Sequence, residues 1–212
     1  MDSKDFLLKR YLPRIEFEGY EDFKKNYKVN VPEDFNFGYD IVDEWAKNFP
    51  DKKALYYVND HGVKREYTFR EISELSDKTA NAFRAQGIGK GDTVLMMLKQ
   101  RPEVWLTFVA LHKLGAVIIP ATYQLTPKDI VYRCECATVK AIAVVDDEEL
   151  LGYIEQARPE CKSLEKVFVC GEKIPDDPFY LDYRKLIDEA DSKLERVPNK
   201  VSDTMLIYFS SG

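Results

Sequence analysis

The strongest constraint on the fold is a regular alternation of apolar runs and helix-forming segments that begins at Thr93 and continues to the end of the chain. This alternation is typical of βαβ units, in which each helix returns the chain so that consecutive strands lie parallel. The sequence therefore predicts the α/β class, with a mostly parallel sheet flanked by helices on both faces. The strand candidates are residues 93–98, 116–119, 141–145, 166–170 and 204–209, and the helix candidates are residues 102–114, a segment capped by Thr126 and Pro127, residues 147–157 and residues 180–190.

Local start and stop signals support these helices. Pro102 suits the first position of an apolar helix, and Gly115 suits its end. Earlier in the chain, Thr68 and Glu71 have the spacing of a capping box, which predicts a helix that ends near Gly87. The apolar stripe behind that box indicates that one face of this helix packs on the core.

Ahead of the alternation, the sequence predicts a helix, a short β-hairpin and an aromatic-rich extension. The helix covers residues 39–49, and the hairpin strands, residues 54–58 and 63–67, flank an Asn-Asp-His-Gly turn signal. We therefore divide the chain into an N-terminal extension of residues 1–37, packed on the body as one or two short helices, and an α/β subdomain of residues 38–212.

Composition and charge argue against several classes of protein. The 212 residues are 45% hydrophobic, which is enough for a sizeable core, and no apolar run is long enough to predict a transmembrane helix. The net charge of −6 argues against nucleic acid or an anionic membrane surface as the main partner. The first residues lack the long apolar core of a signal peptide. We therefore expect a cytoplasmic protein.

The cysteines and histidines do not predict a metal centre or a nucleophilic triad. Cys134 and Cys136 are two residues apart, and side chains at that spacing do not share a helix face. We expect free thiols at these positions. His112 lies on the apolar helix without a second histidine or acid at metal-binding spacing, and we interpret it as a satisfied core or edge histidine rather than a catalytic base.

The chain ends in Tyr-Phe-Ser-Ser-Gly, directly after the last strand candidate. Glycine lets backbone N–H groups approach phosphate oxygens, and serine hydroxyls add donors. Ser210, Ser211 and Gly212 are therefore the candidate site residues, as the start of a phosphate-binding loop, and no catalytic or metal-binding residue is assigned. A simple turn is the alternative interpretation of the same residues. We expect the chain to be the front part of a longer protein, cut within this loop.

Four segments resemble the acyl-adenylate-forming enzymes, which include acyl-CoA synthetases, peptide-synthetase adenylation domains and luciferases. The terminal Tyr-Phe-Ser-Ser-Gly is similar to the opening of that family's phosphate loop, without the Thr-Thr-Gly and Pro-Lys that follow it there. Residues 67–72 are similar to the family's early helix entry, residues 87–94 to its link into the next strand, and residues 113–127 to its helix-to-strand segment. The resemblance covers about residues 38–212, and residues 35–52 look most like the medium-chain acyl-CoA synthetases.

The resemblance implies a two-step ligase. A small-molecule carboxylic acid attacks the α-phosphate of ATP, held with Mg²⁺, to give an acyl-adenylate and pyrophosphate, and the thiol of CoA then displaces AMP. The resemblance thus implies ATP, Mg and CoA as cofactors, with Ser210, Ser211 and Gly212 opening the ATP phosphate loop. In the family, the rest of the machinery lies downstream of this loop, so we expect the chain alone to be inactive.

Two other functions fit the same sequence: an adenylating enzyme that passes its acyl group to a carrier protein, and a non-catalytic α/β binding or assembly module. Residues 121–124 lie where relatives approach CoA, although a simple strand-to-helix loop is the interpretation that we favour. Residues 146–149, Asp-Asp-Glu-Glu, lie where acetate-type relatives carry arginines for the coenzyme phosphate. We interpret these acids as a helix start, so the coenzyme contacts come from elsewhere or the acceptor differs.

Overall fold

The computed structural model describes residues 6–210, which form a parallel sheet with helices on both faces and a separate β-hairpin. Four of the five strand candidates correspond to strands of the structure. In chain order the elements are α1 (Leu8–Tyr11), α2 (Tyr20–Asn26), a π-helical turn (Gly38–Asp43), α3 (Glu44–Asn48), β1 (Lys53–Val58), β2 (Lys64–Thr68), α4 (Phe69–Ala85), β3 (Thr93–Met97), α5 (Pro102–Leu114), β4 (Val117–Pro120), α6 (Pro127–Ala137), β5 (Val139–Val145), α7 (Glu148–Ala157), β6 (Lys166–Cys170), β7 (Tyr180–Asp182) and α8 (Tyr183–Glu189).

The main sheet has five strands in the order β4-β3-β5-β6-β7, and each neighbouring pair is parallel. Leu95 of β3 lies opposite Ile119 of β4 and Ile142 of β5. Every residue of β3 is buried, as expected for an inner parallel strand that is covered on both faces. The hairpin strands β1 and β2 pair antiparallel. The predicted α/β class with a mostly parallel sheet is confirmed.

Apolar cores lie on the two faces of this sheet, because successive strand residues point to opposite sides. On one face α4, α5 and α8 cover the sheet, and the rings of Phe83 and Phe168 stack with their centroids 4.0 Å apart. On the other face Ile130 of α6 and Ile154 of α7 are fully buried. Helices on both faces are therefore also confirmed.

The predicted capping residues set the ends of three helices. The Thr68 side chain accepts the N–H of Glu71, and the Glu71 carboxylate accepts the N–H of Thr68 at 2.7 Å. Thr126 and Asp129 form a second capping box at the start of α6. Gly115 ends α5 with φ 70°, a left-handed conformation that glycine adopts without strain.

The last strand candidate, residues 204–209, is wrong in extent. Only a single parallel bridge forms, to Ile118 of β4. Ile118 donates its N–H to the carbonyl of Met205 at 3.0 Å and accepts the N–H of Ile207 at 2.9 Å. The next β4 residue that faces this side is Pro120, which has no N–H to donate, so the ladder stops there.

The helix candidate at residues 180–190 is wrong at its start. Its first residues, Tyr180–Asp182, form β7 and pair with β6, and α8 begins only at Tyr183. The reason is a cap within the predicted segment: the Asp182 side chain accepts the N–H of Lys185 at 3.0 Å. That cap ends the strand and starts the helix.

The predicted helix at residues 39–49 begins one residue earlier, at Gly38, and its first part is the π-helical turn. The preceding Asn36 accepts the N–H of Gly38 at 2.9 Å through its side-chain oxygen. The side-chain nitrogen of Asn36 donates to the carbonyl of His112 at 2.7 Å, near the end of α5. One buried amide therefore joins the start of this helix to the body of the fold.

Candidate functional site

The carboxyl edge of the sheet is the place where ligands of parallel sheets bind. Lys99 follows β3 at this edge, the loop of residues 121–126 follows β4, and Asp146 and Asp147 follow β5. The segment that bridges to β4 runs in the same direction and leads to Ser210. The structure therefore brings four connecting segments to one edge.

Ser210 is the candidate residue that the structure describes, whereas Ser211 and Gly212 lie outside the described residues. Ser210 is exposed and follows the parallel bridge between Leu206 and Ile118. Because this bridge is parallel, the chain leaves it toward the edge at which β4 ends. The phosphate-binding role of these three residues stays a prediction.

The ring of Phe209 fixes this segment to α6. Its centroid lies 5.8 Å from that of Tyr132, and the guanidinium carbon of Arg133 lies 4.9 Å from the Phe209 centroid. Arg133 also donates to the carbonyl of Asp129 at 3.0 Å, which orients the guanidinium. A positive charge therefore lies beside the residue that precedes Ser210. Sequence reasoning missed it because Arg133 is distant along the chain.

Lys99 adopts a left-handed conformation, with φ 54°, which is uncommon for a residue other than glycine. Its Nζ lies 2.7 Å from Oδ2 of Asp147 and 5.0 Å from the ring centroid of Tyr123. Side chains from three loops thus meet at the carboxyl edge. Strained residues of this kind cluster at functional sites. The sequence signal for Lys99 was its position just after a buried strand, and it was overlooked.

The two aspartates after β5 have separate structural roles. Asp147 caps α7 by accepting the N–H groups of Glu149 and Leu150, and the hydrogen bond from Lys99 is the main cause that lowers the pKa of Asp147. Burial acts to raise the pKa of Asp146, but backbone hydrogen bonds, including the N–H of Glu172 at 2.7 Å, bring it below its usual value. The interpretation of the acidic run as a helix start holds for Asp147, whereas Asp146 holds the loop after β6.

His112 lies near the opposite, amino edge of the sheet and is buried, as interpreted, but its ring is not satisfied by any protein group. The residue is 8% exposed, and neither ring nitrogen has a hydrogen-bond partner. Its ring neighbours, Phe37 and Phe108, are apolar and provide no acceptor or donor. Burial lowers the pKa of His112 to about 4, so the ring is neutral at neutral pH.

Within residues 6–210, no group of three or more metal-ligating side chains is found. The four cysteines are free thiols, and three of them are buried. Burial raises the pKa of Cys170 to about 11, so this thiol is protonated and a poor nucleophile at neutral pH. The carboxyl edge is therefore built from hydroxyl, carboxylate and cationic groups.

Comparison with known proteins gives one family and many relatives. The family described as AMP-binding enzyme matches residues 42–212 of this chain. The chain is 32% identical over 202 residues to "Acyl-coenzyme A synthetase ACSM3, mitochondrial" of Pongo abelii, which covers 92% of this chain and 34% of that protein. It is 34% identical over 191 residues to "Acyl-coenzyme A synthetase ACSM5, mitochondrial" of Rattus norvegicus, which covers 87% of this chain and 32% of that protein.

Solved structures share the fold. The anthranilate CoA ligase AuaEII in complex with anthranoyl-AMP has a TM-score of 0.73 and 26% identity, over 86% of this chain and 33% of that one. The acyl-CoA synthetase of Brucella canis also has a TM-score of 0.73, with 22% identity over 84% of this chain and 32% of that one. This second similarity concerns the fold alone.

The names and lengths of the curated relatives bear on two earlier expectations. The chain spans about a third of the length of these relatives. The relatives are mitochondrial by name, and this finding overturns the expectation of a cytoplasmic protein. Among the helices that the structure describes, none combines the length and apolar character needed to cross a membrane.

Proposed function

Because the chain belongs to the AMP-binding enzyme family, we propose that it forms part of an AMP-forming acyl-CoA synthetase, an acid–thiol ligase. The observation that carries this proposal is similarity along nearly the whole chain, 92% of it in one case, to proteins named acyl-coenzyme A synthetases. The parallel sheet with its ligand-binding edge agrees with this function.

The proposed reaction has two steps. A carboxylate oxygen of the acid attacks the α-phosphorus of ATP, and the bond to the bridging oxygen of pyrophosphate breaks. The thiolate sulfur of CoA then attacks the acyl carbon, and AMP leaves with the electron pair of the broken bond. The products are acyl-CoA, AMP and pyrophosphate.

We assign the first phosphate contacts to Ser210, Ser211 and Gly212. Negative charge builds up on the phosphate oxygens during adenylation, so fixed N–H and hydroxyl donors stabilise the transition state. The parallel bridge to β4 and the packing of Phe209 on α6 support this assignment, since both direct the chain up to Ser210 toward the carboxyl edge. The guanidinium of Arg133 adds positive charge beside Phe209, which directly precedes Ser210.

The described residues offer no cluster of metal-ligating side chains, so no Mg²⁺ ligand is assigned to residues 6–210. When bound with ATP, this ion would neutralise part of the phosphate charge. CoA is the proposed acceptor. The acids after β5 oppose its phosphates less than their number implies, because Lys99 pairs with Asp147 and backbone amides bind Asp146.

The proposed organisation is a subdomain of residues 38–212 that carries the phosphate loop, preceded by an extension of residues 1–37. The proposed substrate is an aliphatic or aryl carboxylic acid. Both classes are in keeping with the relatives, which include acyl-coenzyme A synthetases and a ligase for anthranilate, an aryl acid. The ring of Phe6, 4.8 Å from that of Trp45, supports the packing of the extension on the body.

Thioester formation by the full gene product that contains this chain tests the proposal. The purified protein is supplied with ATP, Mg²⁺, CoA and a panel of aliphatic and aryl acids, and acyl-CoA and AMP are quantified. We expect equal amounts of the two products with at least one acid, and none when ATP, acid or CoA is left out. No acyl-CoA and no AMP with any acid would contradict the ligase.

A carrier protein is the alternative acceptor, and the run of acids at residues 146–149 is the observation that favours it. The same assay separates the two acceptors. Acid-dependent acyl-adenylate that CoA fails to consume, together with acyl transfer to the phosphopantetheine of a carrier protein, would replace CoA in the proposal.

A further inference from the structure

The last described residues leave the sheet with few backbone contacts. Ile207 donates its N–H to the carbonyl of Ile118 at 2.9 Å, and this is the last backbone hydrogen bond along the part of the chain that the structure describes. Among the described residues, none forms a backbone hydrogen bond with residues 208–210. The position at which the chain reaches Ser210 therefore depends on side-chain contacts.

Phe209 makes these contacts with α6. Its ring is partly buried against the apolar core on the α6 face of the sheet. The ring centroid lies 5.8 Å from that of Tyr132, and the two ring planes are 72° apart, so the rings meet edge to face. The guanidinium carbon of Arg133 lies over the Phe209 ring, 4.9 Å from its centroid, which is within the range of a cation–π contact.

Arg133 is itself held in place by the first turn of α6. Its side chain is 17% exposed, and Nη1 donates to the carbonyl of Asp129 at 3.0 Å. The carboxylate of Asp129 accepts the N–H of Thr126 at 2.9 Å and the Thr126 hydroxyl at 2.7 Å, as part of the capping box. A continuous series of contacts therefore runs from the start of α6 through Arg133 to the ring of Phe209.

We propose that Arg133 is a positioning residue for the phosphate loop: its guanidinium holds the ring of Phe209 on α6 and so sets the point from which Ser210 begins. The identity of the loop rests on the proposed ligase function. Arg133 acts through Phe209 and does not contact ATP.

This role has a kinetic signature. A loop that is already held in its binding position loses less conformational entropy when ATP binds. Without the contact, a smaller fraction of the molecules is ready to bind ATP, and the apparent affinity falls by that fraction. The cost is the same for bound ATP and for the transition state, so the KM for ATP rises and kcat changes little.

Steady-state kinetics of the full gene product test this signature. Acid-dependent exchange of labelled pyrophosphate into ATP is measured for Arg133→Gln, which removes the charge, and for Arg133→Lys, which keeps it. We expect R133Q to raise the KM for ATP about fivefold and to leave kcat within about twofold of the wild type. We expect R133K to stay within about twofold of the wild type in both parameters.

Arg158→Gln is the matched control. The guanidinium carbon of Arg158 lies 3.8 Å from the ring centroid of Phe179, so this variant also removes an arginine–phenylalanine contact. Phe179 directly precedes β7, which places the contact at the amino edge of the sheet. We expect R158Q to lower the thermal midpoint and to leave the KM for ATP unchanged. The same pattern in R133Q would mean that Arg133 only stabilises the fold, and it would overturn the proposal.

A double variant tests whether Arg133 acts through the ring. Phe209→Leu keeps an apolar side chain and removes the aromatic face. If the ring transmits the effect, R133Q raises the KM for ATP in the wild type and adds no further rise in F209L. Additive effects of the two substitutions would mean that the guanidinium acts on ATP directly, and they would overturn the positioning role.

Hydrogen exchange at the Ile207 amide gives a measurement that needs no catalytic activity, because this N–H forms the last bond to β4. We expect its exchange to be about fivefold faster in R133Q than in the wild type and in R158Q. An unchanged amide in R133Q would overturn the proposal. A faster amide in R133Q, in a protein that exchanges no pyrophosphate with any acid, would contradict the ligase function and still support the hold of Arg133 on this segment.

Discussion

The Nζ atom of Lys113 lies 2.6 Å from Oδ1 of Asp77, although the lysine side chain is fully buried. The same Nζ lies 2.7 Å from Oδ1 of Asp43. One ammonium group thus joins α5, α4 and the π-helical turn. Burial raises the pKa of Asp77, and the nearby lysine acts in the opposite direction. This cluster fastens the π-helical turn to α4 and α5.

Replacing Lys113 by methionine tests how much this cluster contributes to the stability of the fold. Lys113→Met leaves two carboxylates close together without a counter-charge, so we expect the free energy of unfolding to fall by about 3 kcal/mol. Lys64→Met, at an exposed position of β2, is the matched control and should change it by less than about 0.5 kcal/mol. Urea denaturation measures both. Equal effects of the two variants would show that the buried pairs contribute nothing.

Two glycine-to-alanine substitutions should change the free energy of unfolding in opposite directions. A Cβ at Gly171 would collide with the carboxylate of Asp146, which binds the loop after β6, so Gly171→Ala should cost about 2 kcal/mol. A Cβ at Gly152, within α7, meets no atom within 4 Å, so Gly152→Ala should stabilise by about 0.5–1 kcal/mol. Thermal and urea unfolding of both variants give the comparison. Stabilisation by Gly171→Ala would contradict the close approach of Asp146.

The contribution of the α4 capping box to stability should be measurable by a single substitution. Thr68→Ala removes the oxygen that accepts the N–H of Glu71, and we expect a loss of about 1 kcal/mol in the free energy of unfolding. Thr68→Ser keeps the oxygen and should lie close to the wild type. If the serine variant lost as much unfolding free energy as the alanine variant, the methyl group of Thr68 rather than the cap would account for the loss.

The pH dependence of stability should carry a contribution from His112. Its pKa is about 4 in the folded chain against 6.5 for the ordinary group. As the pH falls, His112 therefore binds a proton in the unfolded chain before it does so in the folded chain. The stability that is present above the unfolded-state pKa is lost as the pH falls toward the folded-state pKa. Between about pH 7.5 and about pH 5, the wild type should lose about 2 kcal/mol more than His112→Phe.

Urea unfolding of both proteins at the two pH values measures this difference. Other titrating groups are shared by the two proteins and cancel in the comparison. Equal losses in the two proteins would mean that the imidazole titrates normally in the folded chain.

The sequence predicted those parts of the fold that depend on neighbouring residues. Thr68 and Glu71 are three positions apart, and Thr126 and Asp129 have the same spacing, so both capping boxes are visible in a linear reading. The buried strands are visible in a linear reading as well, because a strand that is covered on both faces is a continuous apolar run. Strand β7 was missed because three residues carry too little pattern and form a strand only by pairing with β6.

The candidate site was only partly predictable, because its contacts join distant residues. Lys99 meets Asp147, and Arg133 meets Phe209, across long stretches of chain. The direction of the segment at residues 204–209 followed from the alternation. Its pairing with β4 stops after one bridge because Pro120, which faces this segment only in the folded sheet, has no N–H. No local pattern carries such information.

The central claim is that residues 210–212 open the phosphate loop of an adenylate-forming enzyme. Its most direct test is the acid-dependent exchange of labelled pyrophosphate into ATP by the full gene product, with Ser210→Ala/Ser211→Ala compared with the exposed control Ser202→Ala. We predict exchange that requires a carboxylic acid, falls about a hundredfold in the double variant and stays within about twofold in the control. Exchange that is absent with every acid, or that the double variant leaves unchanged, would contradict the claim.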